Sequence, residues 1–169
     1  MIRLEVPGTP APKGSGRAIL INGRARLVAS SSNVNRGKQA SWASAVTYAV
    51  ADRGGATVAW MDEPVVLACL FRFPMRAKDL GTGRNAATPK PHAPTYVTQG
   101  SGDVDKLIRC TADAVTAAGC IWRDDSQMIA MAARVYVPLG LPLVSTLILG
   151  IDRFEILGAL STLLGEAEA

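Results

Sequence analysis

Apolar and charged residues alternate or recur along much of this chain, and their spacing predicts its elements. Residues 2–6 alternate apolar with charged side chains, which is typical of a half-buried strand. Asn22-Gly23 lies between two short apolar runs and predicts a β-hairpin, because this pair tolerates the positive φ angles of a type I′ turn. Further strands are expected at 64–73, 128–137 and 143–149.

Helical spacing marks three other segments. Apolar residues recur at helical positions over 42–50, before a Gly-Gly pair, and again over 104–115, before Gly119. A third helix is expected over 152–164. The chain therefore predicts an α+β fold, with a mixed or antiparallel sheet and two main helices on one face. We expect a single domain over 1–169, with residues 152–169 as a C-terminal helical extension.

Two segments lack any apolar period. Residues 7–17 contain three prolines and three glycines, so a loop is expected to present Lys13 and Arg17 to solvent. Residues 76–102 hold three more prolines, and loops of this length are usually functional or disordered, so a mobile loop beside the site is predicted. His92 lies in this loop without a second His or Cys nearby, which favours a surface role over a metal ligand.

Composition narrows the class of protein. With 169 residues, 49% hydrophobic and 19% charged, the chain fits one globular domain and excludes a disordered or fibrous protein. The three cysteines form no C-x-x-C pair, so a disulfide framework and a thiolate zinc site are both unexpected. The N-terminus lacks the apolar core of a secretory signal, and no apolar segment reaches the ~20 residues of a membrane span. A cytoplasmic protein is expected.

Charge is distributed unevenly along the chain. Residues 1–53 carry eight Lys and Arg against two acids, whereas residues 103–169 carry five bases against nine acids. Arg24 and Arg26 are expected to share one face of the hairpin. A basic half and an acidic half suggest a polyanion bound on one side and a cation on the other, with ordinary surface charge as the alternative.

Two acidic pairs carry the candidate chemistry. Asp103 precedes or caps the helix over 104–115 and Asp105 lies in its first turn, where carboxylates are favoured even without any function. Asp124-Asp125 lies between two apolar segments, where adjacent carboxylates repel each other unless a cation compensates them. Ligands that are oxygen alone indicate Mg²⁺ rather than Zn²⁺. Together with the basic N-terminal region, these acids predict metal-assisted phosphodiester hydrolysis.

The order and spacing of these residues resemble the RusA family of Holliday junction resolvases. That family has D-x-D-N-x-x-K, then D-A-L, then G, then D-D-x-Q before an apolar residue. The corresponding residues here are Asp103-Val104-Asp105-Lys106-Leu107-Ile108-Arg109, Asp113-Ala114-Val115, Gly119 and Asp124-Asp125-Ser126-Gln127-Met128. The specific similarity covers about 26 residues, and the basic, proline-rich segment near the N-terminus also resembles the family's.

The resemblance implies a homodimer that binds four-way junction DNA and makes paired symmetric nicks, in recombination and repair. It implies Mg²⁺ as cofactor, with Mn²⁺ as a substitute, and a bacterial or phage-encoded origin. The implied metal ligands are Asp103, Asp105 and Asp125, with Asp124 beside them. The DNA-binding candidates are Lys13, Arg17, Arg24 and Arg26.

This chain departs from the family pattern at two positions. Arg109 stands where the family has lysine, so it can clamp a phosphate but cannot release a proton. Lys106 stands where the family usually has asparagine, and one interpretation is that it supplies the displaced ammonium. Asp113 is equally well explained as a structural partner of Arg109.

Two other classes of protein stay open at this point. The departures at Arg109 and Lys106 also fit a DNA-binding accessory protein whose catalytic site has degenerated. The same acids and bases also fit a phosphohydrolase that acts on small nucleotides.

Overall fold

The computed structural model describes residues 1–14, 16–29, 33–54, 63–97, 100 and 102–168. The predicted α+β fold is confirmed. The strands and helices in chain order are β1 (Ile2–Pro7), β2 (Gly16–Ile21), β3 (Arg24–Ala29), α1 (Asn33–Gly54), β4 (Val65–Pro74), α2 (Val104–Ala118), β5 (Met128–Val137), β6 (Val144–Gly150) and α3 (Arg153–Glu168).

The main sheet is mixed and has the strand order β1-β6-β4-β5. β1 and β4 both pair antiparallel to β6, whereas β4 and β5 pair parallel, from Val65↔Met128 to Pro74↔Val137. Because parallel neighbours cannot be joined by a tight turn, the chain crosses over between them, and α2 forms that crossover. β2 and β3 form a separate hairpin, whose turn residues Asn22 and Gly23 have φ of 52° and 71°, as expected.

Helices cover both faces of the main sheet. α1 and α2 pack on one face, around Trp42 and Leu107, and the Trp42 indole donates a 3.1 Å hydrogen bond to the Thr111 hydroxyl of α2. α3 packs on the opposite face through Ile156, Leu160 and Leu163. The expectation of two main helices on one face is therefore confirmed, and the third helix closes the other side of the sheet.

The crossover helix begins and ends at the residues that the sequence indicates. Asp103 has an extended backbone at the N-cap position, and Leu107 donates its N–H to the Asp103 carbonyl at 3.1 Å. At the other end, Gly119 has φ of 70°, a left-handed conformation that glycine adopts without steric cost, and its N–H bonds the Thr116 carbonyl.

The segment predicted as a loop at 76–102 is anchored to the rest of the fold at a few described positions, although most of its described residues are exposed. It contains two short 3₁₀ turns, and Leu80 and Val97 are buried in the core. Isolated bridges join Leu80 to Pro89 and Tyr96 to Val135 of β5. This segment therefore forms a folded edge of the domain, and its predicted mobility stays a prediction.

Within the part of the chain that the structure describes, no helix combines the length and the apolar character needed to cross a bilayer. The three cysteines are free thiols. Cys69 is fully buried in β4, and desolvation raises the pKa of its thiol far above the ordinary range, as expected for a core residue.

Leu107→Ala tests the packing of α2 on the sheet. The side chain is completely buried, so its truncation should lower the free energy of unfolding by about 3 kcal/mol. Leu141→Ala is the control, because that leucine is 60% exposed and should change stability by less than about 0.5 kcal/mol. Urea denaturation measures both, and equal effects would contradict the packing described here.

Candidate active site

A cleft of about 710 Å³ opens where β4 and β5 end and α2 begins. One wall is the proline-rich segment 9–14, and the other is formed by Phe73, Arg76 and Tyr136. Asp103 is its acidic lining residue. Its basic lining residues are Lys13, Lys38, Arg76 and Lys106. The excess of cations makes the cleft suited to an anionic ligand.

The proline-rich wall is fixed to both helices of this face. The Lys13 N–H donates to the Lys106 carbonyl at 2.9 Å, and the Gln39 amide of α1 donates to the Pro12 carbonyl at 2.8 Å. The Lys13 ammonium forms an ion pair with Asp113 of α2, and its side chain is still about half exposed. Asp113 therefore has a structural role, as expected, but among the described side chains its ion-pair partner is Lys13 and not Arg109.

The opposite wall carries a cation that the sequence did not single out. The Arg76 Nε donates to the Asp79 carboxylate at 2.6 Å, and its guanidinium lies 5.2 Å from the centre of the Tyr136 ring. Both contacts orient Arg76 towards the cleft that it lines. The sequence places Arg76 two residues after Pro74, where β4 ends. It does not indicate the contact with the Tyr136 ring, which lies 60 residues further along the chain.

A second overlooked cation, Arg134 of β5, anchors the start of α2. Its guanidinium donates a 2.6 Å hydrogen bond to the Gly102 carbonyl. Gly102 has φ of 83°, and a Cβ on it would lie 2.5 Å from the Pro12 ring. The residue just before Asp103 is therefore held between β5 and the proline-rich wall. The pattern of apolar residues over 128–137 predicts a strand that contains Arg134, but it does not indicate this hydrogen bond.

The acids at the start of α2 differ in their surroundings. The Asp103 carboxylate bonds the Lys106 ammonium at 2.6 Å, and this hydrogen bond, more than the accompanying charge attraction, lowers the pKa of Asp103 and raises that of Lys106. Asp105 and Arg109 are exposed, and neither belongs to an ion pair among the described side chains. Arg109 is thus available to an external anion, whereas Lys106 is already paired.

Asp124 and Asp125 lie in the 3₁₀ turn that leads into β5. The Asp124 carboxylate accepts the Ser126 N–H at 2.8 Å. Hydrogen bonding from the Ser126 side chain, and to a lesser extent from its backbone N–H, lowers the pKa of Asp124. The Gln127 side chain completes a capping box and donates to the Glu63 carbonyl at 2.9 Å. Asp124 therefore shapes the turn, which leaves the exposed Asp125 free to bind a ligand.

Within one copy of the chain, the two acidic pairs lie at opposite ends of α2. Arg134 reaches the start of α2, while Asp125 precedes Met128. The seven residues from Met128 to Arg134 span about 20 Å of strand. The fifteen residues of α2 cover a similar length, about 22 Å. Among the residues described, no group of three or more His, Cys, Asp or Glu side chains is placed to hold a metal ion.

The carboxylates fit a magnesium ion by chemistry but not by placement within one chain. All the candidate ligands are exposed oxygen donors, which is the type that Mg²⁺ prefers. However, Asp103 is bonded to Lys106, and Asp125 lies a helix length away from it. The expected convergence of Asp103, Asp105 and Asp125 is not seen in a single copy.

Arg24 and Arg26 are not among the residues that line the cleft. Arg24 and Arg26 are exposed on β3, and their alternation places them on one face of the hairpin, as the sequence indicates. Arg17 lies on β2, and its side chain is outside the described part of the structure.

Comparison with protein families identifies the chain. The family model "Endodeoxyribonuclease RusA" matches residues 7–141. The chain belongs to the RusA family of endodeoxyribonucleases. The match includes the proline-rich wall, α2 and Asp124-Asp125, and it ends before β6 and α3. A comparison with curated proteins finds no match.

Gly102→Ala tests how closely the proline-rich wall approaches the start of α2. Gly102 and Gly8 both have left-handed φ values, of 83° and 102°, but a Cβ on Gly8 would meet nothing within 4 Å. Both alanine variants should carry backbone strain of about 1–3 kcal/mol. Gly102→Ala should lose at least ~1 kcal/mol more, because its methyl overlaps Pro12. Chemical denaturation compares them, and equal losses would mean that the wall is not in contact.

Proposed function

We propose that this RusA-family protein is a Mg²⁺-dependent, structure-selective endonuclease that resolves four-way DNA junctions by paired symmetric nicks. The family match supports an endodeoxyribonuclease. The observation that carries the proposal is the cleft, because it joins four basic side chains to the first acid of the family motif. Recombination and repair in a bacterial or phage-infected cytoplasm is the setting that fits this activity.

The basic cleft is the proposed path of the DNA strand to be cut. Lys38, Arg76 and Lys13 line it, and their charges would hold successive phosphates beside Asp103. Arg109 is exposed in the second turn of α2 and would hold the phosphate nearest the acids with two parallel hydrogen bonds. The arginine hairpin, with Arg24 and Arg26, would contact the DNA farther from the cut.

Asp103, Asp105 and Asp125 are the proposed ligands of Mg²⁺, for which Mn²⁺ would substitute. The ion, when bound, polarises the phosphoryl oxygens and lowers the pKa of a bound water. Asp124 is a poorer candidate, because its carboxylate already caps the turn before β5. The protein's own part is to position these carboxylates and to hold the phosphate with Arg109.

A homodimer would complete this ligand set. Since Asp125 lies about a helix length from Asp103 and Asp105 in one copy, a second copy related by a twofold axis would bring its Asp125 to the first copy's α2. The same axis would create a second, identical site. Two symmetric sites suit the paired cutting of a symmetric junction.

Asp105→Asn is the direct test of this function. The carboxylate is exposed and belongs to no ion pair among the described residues, so the amide should leave the fold intact. Nicking of a synthetic four-way junction with Mg²⁺ should fall by about 100-fold or more, as for other single electrostatic contacts in catalysis. Asp52→Asn, an exposed acid at the end of α1, is the matched control and should cut normally.

The same assay separates the two competing functions. Wild-type protein that binds the junction but never nicks it would support the accessory protein, which the paired state of Asp103 favours. Hydrolysis of mononucleotides, with junction binding that hardly depends on salt, would support a small-nucleotide phosphohydrolase, since a DNA-binding cleft should lose affinity steeply as salt rises.

A further inference from the structure

We propose that Lys106 is an internal counter-ion of Asp103. A divalent metal binds Asp103 only when the Lys106 ammonium is displaced, and the ammonium then pairs with a phosphate of the DNA. Metal binding and DNA binding would thereby be coupled. This inference rests on the proposed function, because it takes Asp103 as a metal ligand.

The ion pair between these residues is the starting observation. The Lys106 Nζ lies 2.6 Å from an Asp103 carboxylate oxygen, one turn apart on α2. Asp103 stands at the N-cap, yet its side chain makes no capping hydrogen bond to the helix. The carboxylate is therefore directed to the ammonium rather than to the free N–H groups at the helix start.

Lys106 has the longer and more flexible side chain of this pair, while the short side chain of Asp103 follows its backbone. The Arg134 guanidinium holds the Gly102 carbonyl, and Pro12 packs against Gly102 from the other side. The backbone at Asp103 is thus held from two directions. Lys106 instead carries a flexible four-carbon stem and pairs as a point charge, without the planar geometry of an arginine.

The local charge balance disfavours a free divalent ion. Asp103 interacts with the charges of Lys106 and Arg134, and Lys106 lies close to Asp105 and Arg109 as well. The charge of Asp103 is thus already offset by cations. A metal that approaches without DNA has to compete with them, whereas a phosphate that enters with the metal offers Lys106 another partner.

Lys106 can change partners without leaving its place on α2. It lines the cleft together with Lys13, Lys38 and Arg76, so its ammonium already borders the proposed path of the DNA strand. A movement of the side chain alone would take the charge from Asp103 to a phosphate. By linkage, a metal that frees Lys106 strengthens DNA binding, and DNA that attracts Lys106 strengthens metal binding.

Lys106→Gln tests this inference through metal binding alone. The amide keeps most of the stem and removes the charge. Mn²⁺ affinity, measured by electron paramagnetic resonance without DNA, should rise by about fivefold, which is the upper range for an exposed ion pair. Lys90→Gln is the control, because Lys90 is exposed and bonds the Lys78 carbonyl in the 76–97 segment, away from the cleft lining.

Junction binding with Ca²⁺ and in EDTA provides a second readout. If a metal frees Lys106 for a phosphate, Lys106→Gln should weaken binding with Ca²⁺ and lower its salt dependence by about one phosphate contact. The change should be smaller in EDTA, where Asp103 still holds the ammonium. Unchanged or weaker Mn²⁺ binding in Lys106→Gln would overturn the inference, as would an unchanged salt dependence.

Asp103→Asn distinguishes failure of this inference from failure of the proposed function. Weaker Mn²⁺ binding in Asp103→Asn, together with no gain in Lys106→Gln, overturns the counter-ion role alone. Unchanged Mn²⁺ binding in Asp103→Asn removes Asp103 from the metal site, and with it both the inference and the proposed ligand set.

Discussion

The direction of α2 is the constraint on which the site depends. β4 and β5 pair parallel, so the helix that joins them must run back along the sheet, antiparallel to both strands. Its first residue then lies where the strands end, and its last residue lies where they begin. Asp103 and Asp105 come just at its start and Asp125 follows its end, so a single topological feature separates the two halves of the family motif.

Residues that are distant along the chain meet where β4 and β5 end. Lys13 comes from the first loop and reaches Asp113 of α2, while Arg134 comes from β5 and reaches the carbonyl before Asp103. Each bond joins the crossover helix to another element. The cleft therefore depends on the position of α2 on the sheet and not on any single loop.

Much of the fold could be predicted because local rules act at identifiable residues. Asn22-Gly23 makes its turn with positive φ, and Gly119 ends α2 in the left-handed conformation, as the sequence indicates. The motif spacing also predicted the family correctly. These features depend on neighbours along the chain, for which conformational preferences are known.

The parts of the site that escaped prediction depend on long-range contacts. Arg76 is oriented by the Tyr136 ring, and Arg134 by the Gly102 carbonyl, and nothing local in the sequence indicates either partner. The parallel pairing of β4 with β5 was not specified either, because an apolar run predicts a buried strand but not its neighbour's direction. When the direction of β5 is unknown, the nearness of Asp103 and Asp125 in the sequence motif suggests that they are close in space. In the structure they lie about a helix length apart.

Mixing two inactive variants shows whether two copies share each site. In a dimer of one Asp105→Asn chain and one Asp125→Asn chain, a site built from both copies leaves one complete set of carboxylates. Co-refolded mixtures should then nick four-way junctions on one strand, while each variant alone stays inactive. A mixture as inactive as its components would mean that each chain holds its whole site and that no site is shared.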